Sequence, residues 1–115
     1  MLNRSAVLLR PKQSFLDWMK QGDEEGLAAG VYEDSYKDLE INLVPEFEDA
    51  ASGDRVLARC WPQLFERMLA AWSVDESTWP ANRSLQMFRQ WFEVQAFAMV
   101  ADVGTGAIQD DESPP

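Results

Sequence analysis

Residues 54–74, DRVLARCWPQLFERMLAAWSV, decide how the rest of the chain must fold. Leu57, Trp61, Leu64, Phe65, Met68, Leu69 and Trp72 recur mostly at intervals of three and four, the spacing of one broad helical face. A helix this apolar on one side needs a sheet or other helices to lie on. Pro62 removes the N–H that would reach the Ala58 carbonyl, yet the pattern stays in phase across it. This predicts one kinked helix, not two, with Ser52 or Asp54 as candidate cap.

The flanking segments supply the surface. On the N-terminal side, AVLL within residues 3–10 is a short run apolar on both faces and is halted by Pro11, which predicts a central strand. Pro11 suits the first position of a helix. Phe15, Leu16, Trp18 and Met19 then form the stripe of a short helix over 11–21, with Gly22 as its stop. Residues 23–38 are acidic, with glycines and weak periodicity, and read as a loop holding at most one helical turn. EINLV at 40–44 alternates as a strand and ends at Pro45.

Downstream, SVDESTWPANRS is a connection with a fixed turn at Thr78-Trp79-Pro80. A helix over 84–92 places Leu85, Phe88 and Phe92 on one side. Residues 93–101 alternate Val94, Ala96, Ala98 and Val100 against Gln95, Phe97 and Met99. We read them as a strand, because the earlier strands otherwise lack a partner, although Ala and Met also tolerate helix. The expected fold is α+β: a small, mainly antiparallel three-stranded sheet with helices packed on one face, formed by a single domain over 1–102. Residues 103–115 are expected to be a disordered acidic tail. If the second sheet face is apolar, as Phe97 and Met99 suggest, a homodimer through the sheet is the simplest way to cover it.

Length and composition agree with one core. The chain has 115 residues, 46% of them hydrophobic, with five Trp and six Phe, enough apolar volume for an independent domain. The first residues hold too short an apolar run for an export signal or a membrane span, and the lone Cys60 cannot form an intrachain disulfide. These features predict a cytoplasmic protein, with Cys60 acting as a small hydrophobe on its helix. The net charge of −10 is unevenly distributed: residues 1–20 carry +3 and residues 21–50 carry −9. So acidic a surface repels phosphate backbones, disfavours nucleic acid and suits a basic protein partner; it also simply keeps a Trp-rich chain in solution.

Chemistry is narrowly bounded. There is no histidine, which removes the usual neutral-pH base and the commonest metal ligand, and with one cysteine zinc sites of the finger or protease type are excluded. The GTG at 104–106 follows the last expected element and opens no helix, so it is no phosphate or dinucleotide loop. Glu46, Glu48 and Asp49 could hold a hard cation or work as acid and base, but lack the spacing of a calcium loop and read first as a solvated loop. No catalytic residue, metal ligand or cofactor is assigned. Arg4 and Arg10 alternate onto the same strand face with Lys12 just beyond. Together they could hold a phosphate or carboxylate near a helix N-terminus, or pair with the protein's own acids, Glu46 foremost. The five tryptophans read as core rather than as stacking platforms. Asn3-Arg4-Ser5 and Asn82-Arg83-Ser84 match glycosylation acceptors by chance if the chain is not exported.

Asn3-Arg4-Ser5-Ala6, Leu9-Arg10-Pro11-Lys12-Gln13 and Phe15-Leu16-Asp17-Trp18, followed by Thr78-Trp79-Pro80 and Phe88-Arg89-Gln90-Trp91-Phe92, resemble a set of small uncharacterised bacterial proteins of about this length. The resemblance spans residue 3 to about 102, outside the acidic stretch 21–50. It implies a bacterial cytoplasmic origin and carries over no functional residue. Two functional expectations follow from the residues: a non-catalytic interaction or regulatory module, of adaptor or inhibitor type, docking through its acidic surface, or a small anionic-ligand module or weak enzyme built on Arg4, Arg10 and Lys12.

Overall fold

The structure is a computed structural model that describes residues 3–21, 40–104 and 106; the acidic loop expected over 23–38 and nearly all of the expected tail lie outside them. The fold is α+β. Its elements, in chain order, are β1 (Arg4–Pro11), α1 (Gln13–Gln21), β2 (Ile41–Pro45), α2 (Ala50–Trp72), a 3-10 turn (Glu76–Thr78), α3 (Leu85–Trp91) and β3 (Phe92–Phe97). The strands form one sheet in the order β2-β1-β3, antiparallel throughout, with Arg4 opposite Pro45 on one side of β1 and Pro11 opposite Phe92 on the other. The AVLL run therefore takes the central strand, the one position where a segment apolar on both faces is flanked on each side.

Alternation along β1 divides the sheet. Ser5, Val7, Leu9 and Pro11 turn toward the helices and are all buried, and their neighbours on this face are Val44 of β2 and Val94 and Phe92 of β3. Against that face α2 places Leu57, Leu64, Phe65 and Leu69, four residues of the predicted stripe, all buried. At the centre is a set of phenylalanine rings from four elements: Phe65 meets Phe92 edge-on at 5.5 Å, Phe88 at 5.8 Å and Trp91 at 5.4 Å, and Phe15 meets Phe92 at 5.0 Å. Aromatic pairs in such tilted or T-shaped arrangements contribute beyond their buried area. The tryptophans expected in the core are half-buried around this centre. A large ring with an N–H to satisfy fits the rim, where Trp18 Nε1 donates to the Thr78 carbonyl at 3.0 Å and Trp79 Nε1 to that of Ser73 at 2.9 Å. Cys60, also half-buried, packs at the edge of the same cluster.

Several boundaries differ from the sequence expectation, for local reasons. Pro11 closes β1 opposite Phe92 instead of opening α1, which a strand end permits because its missing N–H interrupts little of the ladder. The cap of α2 is neither Ser52 nor Asp54 but Asp49, whose carboxylate accepts the Ser52 N–H at 2.8 Å while Ser52 Oγ accepts the Asp49 N–H at 3.1 Å. This reciprocal pair starts the helix at Ala50, seven residues ahead of Leu57, the first residue of the apolar stripe. Phe47, just ahead of it, lies on Gly53, where a Cβ would come within 3.2 Å of the ring. The helix then runs on across Pro62 to Trp72. β3 begins directly at Phe92, where α3 ends, and stops at Phe97 rather than extending to 101.

The Ser52 hydrogen bonds hold the Asp49 carboxyl below the ordinary aspartate value of 3.8. A carboxyl whose folded value is depressed contributes stability above its unfolded value and loses it as pH falls through the folded one. Asparagine also caps well but does not titrate in this range. We therefore expect the urea midpoint of wild type to fall relative to that of Asp49→Asn as pH drops from about 4 downward. Parallel midpoints across that window would disconnect the carboxylate from the cap.

Candidate functional site

Each cation of the expected anion site is engaged separately. Arg4 and Arg10 do share the outer sheet face, but a rise of six strand steps separates their backbone positions by roughly 20 Å. Arg4 donates to the Asn3 carbonyl at 2.9 Å, and Arg10 donates across to Gln95 Oε1 at 3.2 Å. Lys12 turns the other way: its Nζ donates to the Arg89 carbonyl at 2.9 Å, satisfying the last turn of α3, where a cation also meets the negative end of the helix. Glu46 is exposed, and the ion pairs among the described residues run instead between Arg67 and Glu40, Arg83 and Glu66, and Arg89 and Asp54. The polar contacts of Arg4, Arg10 and Lys12 thus run to three separate partners, Asn3, Gln95 and Arg89.

The acids are placed with equal economy. Asp49 is committed to capping α2, Glu40 to Arg67, and Glu46 and Glu48 are exposed on the link between β2 and α2. Among the described residues no group of three or more Asp, Glu or Cys side chains is positioned to hold a metal ion. Nor is any helix among them long and apolar enough to cross a membrane.

Two surfaces stand out. The first is the outer face of the sheet, where the register sets Leu43 and Phe97 on either side of Ala6, and Ile41 and Gln95 on either side of Leu8. Ile41 is 60% exposed, Leu43 55% and Phe97 40%, with Met99 at 74% just beyond β3. Large apolar side chains grouped on one face mark an interaction surface more often than scattered single ones do. On the edge strand β2, acids bracket them: Glu40 precedes Ile41, and Glu46 and Glu48 follow Pro45.

The second surface is an open cleft of about 690 Å³ in the helical layer, away from the outer sheet face. It lies between α1, the C-terminal end of α2, the 3-10 turn and the end of α3, with Trp18, Trp72 and Trp91 in its walls and Asp17 at its side. Sequence periodicity placed these tryptophans on three separate helices and offered no sign that they meet, because convergence depends on how the helices cross. A smaller apolar cavity of about 170 Å³ separates the sheet from the start of α2.

No protein-family model matches the sequence, and no curated protein and no solved structure is detectably similar to it.

Proposed function

We propose that this chain is a non-catalytic interaction module that docks on a basic protein partner through β2 and the acidic link that follows it. The observation that supports this reading is the composition of that edge: Ile41 and Leu43 are more than half exposed on the outer sheet face, with Glu40, Glu46 and Glu48 around them. Apolar contacts at the centre of a patch supply affinity, while a rim of one charge speeds encounter and selects an oppositely charged partner. The net charge of −9 over residues 21–50 acts in the same direction. A cytoplasmic setting belongs to the proposal, as a chain with one cysteine draws nothing from an oxidising compartment.

The test compares wild type with Leu43→Asp, which removes the apolar anchor while making the surface more acidic. Full-length protein is immobilised in lysate of the source bacterium and salt is raised stepwise, and the oligomeric state of both forms is measured by sedimentation. The expected result is a basic protein retained by wild type at low salt, released as salt rises, and not retained by Leu43→Asp. Equal retention by both forms would reject the patch as the anchor. A wild-type dimer that Leu43→Asp converts to monomer would assign the face to a second copy of the chain and overturn the proposal.

A further inference from the structure

We infer that the tryptophan-lined cleft in the helical layer binds an organic cation of the quaternary-ammonium class. The inference does not rest on docking through the sheet, which uses the other side of the molecule.

Three independent features make the cleft suited to positive charge. The walls come first. Trp18 and Trp91 lie with ring centroids 6.1 Å apart at 46°, and Trp72 joins them from the last residue of α2. The Trp18 N–H is already spent on the Thr78 carbonyl, so this indole offers its electron-rich ring rather than a donor. Indole is the strongest of the aromatic partners for a cation, and sets of such rings characteristically receive methylated ammonium groups.

The second feature is the charge of the lining. Among the described residues that border the cleft, Asp17 is the one ionisable side chain, and no lysine or arginine is among them. Gln13 Nε2 donates to Asp17 Oδ1 at 2.8 Å, which fixes the carboxylate without neutralising it. The third feature is the end of α2. Trp72 and Ser73 border the cleft where this helix of 23 residues terminates, and its last turn contains no basic residue. A long helix places roughly half a negative charge at its C-terminus. Lys12 answers that charge with a cation at the end of α3; at the end of α2 the Ser73 carbonyl accepts the neutral Trp79 N–H, and no cation of the last turn offsets the charge beside the cleft. A volume of about 690 Å³ is ample for a small organic ligand or the end of a modified side chain. A free small molecule and a trimethylated lysine in a peptide present the same chemistry to these walls.

Binding is measured on the full chain by calorimetry and tryptophan fluorescence with three probes: choline, its neutral carbon isostere 3,3-dimethyl-1-butanol, and a short peptide bearing trimethyl-lysine. Saturable binding of choline or of the peptide, with the isostere at least about tenfold weaker, is the expected result. Whichever of the first two binds more tightly identifies the source. Asp17→Asn and Gln21→Lys each change an exposed α1 residue bordering the cleft. Both variants should keep the wild-type circular dichroism and melting temperature while weakening the cation about threefold to tenfold. Equal binding of choline and the isostere, absence of saturation by either cation, or unchanged affinity in folded Asp17→Asn and Gln21→Lys would each overturn the inference.

Discussion

Phe65→Ala is expected to lower unfolding stability by about 3–5 kcal/mol, the range for truncating a fully enclosed aromatic ring. Phe65 is 0% exposed and touches the rings of Phe88, Trp91 and Phe92. It therefore joins α2 to both α3 and β3, two elements that follow each other without a linker. Removing the ring leaves a cavity that three other aromatic residues line, and rings of that size do not collapse into it. For a domain whose total stability is about 5–15 kcal/mol the loss is a large share. It should appear as a melting temperature lower by roughly 15–30 °C and as a shifted urea midpoint with little change in slope. A loss under about 1 kcal/mol would mean that the centre of the helical layer is loosely packed.

Ser5→Ala is expected to cost about 1–3 kcal/mol, although the change removes a single oxygen. Ser5 is 0% exposed and is the one buried polar residue among those described. Its Oγ accepts the Phe47 N–H at 3.0 Å and donates to the Ala98 carbonyl at 2.9 Å, with the Phe47 carbonyl more distant at 3.4 Å. One hydroxyl thus secures the chain beyond the end of β2 and beyond the end of β3. Without it the Phe47 amide is buried with no acceptor, and the desolvation cost of an orphaned donor exceeds the modest net value of the bond itself. Hydrogen exchange gives a readout separate from global stability: the Phe47 amide should lose protection in Ser5→Ala at a denaturant concentration where the β1 amides retain theirs. Unchanged exchange at Phe47 would show that another acceptor takes its place. The same burial bears on Asn3-Arg4-Ser5 as a glycosylation acceptor, since the serine is enclosed in the folded domain.

The aromatic centre also explains why the two candidate surfaces lie where they do. β3 follows α3 directly, so Phe88, Trp91 and Phe92 are rigidly spaced along the chain. Phe88 and Phe92 point inward against Phe65, which leaves Trp91 partly exposed toward α1. There it meets Trp18 and forms part of the cleft. On the opposite side of the sheet no described helix covers Leu43 and Phe97, and the apolar alternation of β2 and β3 remains at the surface.

Local periodicity and charge were enough to establish much of this protein. The stripe Leu57, Leu64, Phe65 and Leu69 is a helical face whichever partner it meets, because the 3.6-residue repeat is a property of the backbone. AVLL had to be a central strand, since a run apolar on both faces needs neighbours on each side. The lack of histidine and the single cysteine bounded the chemistry without reference to any fold. Tertiary structure alone decided the rest. Pro11 could end a strand or begin a helix, and pairing with Phe92 settled it. Arg4 and Arg10 share a face by alternation, yet the rise of an extended strand keeps them apart. Tryptophans and phenylalanines are equally apolar in a pattern, but the indole N–H requires a partner, and this moved the tryptophans to the rim. The meeting of Trp18, Trp72 and Trp91 beside Asp17 depends on crossing angles among three helices distant in sequence. Long-range packing geometry of that kind has no periodic signature along the chain.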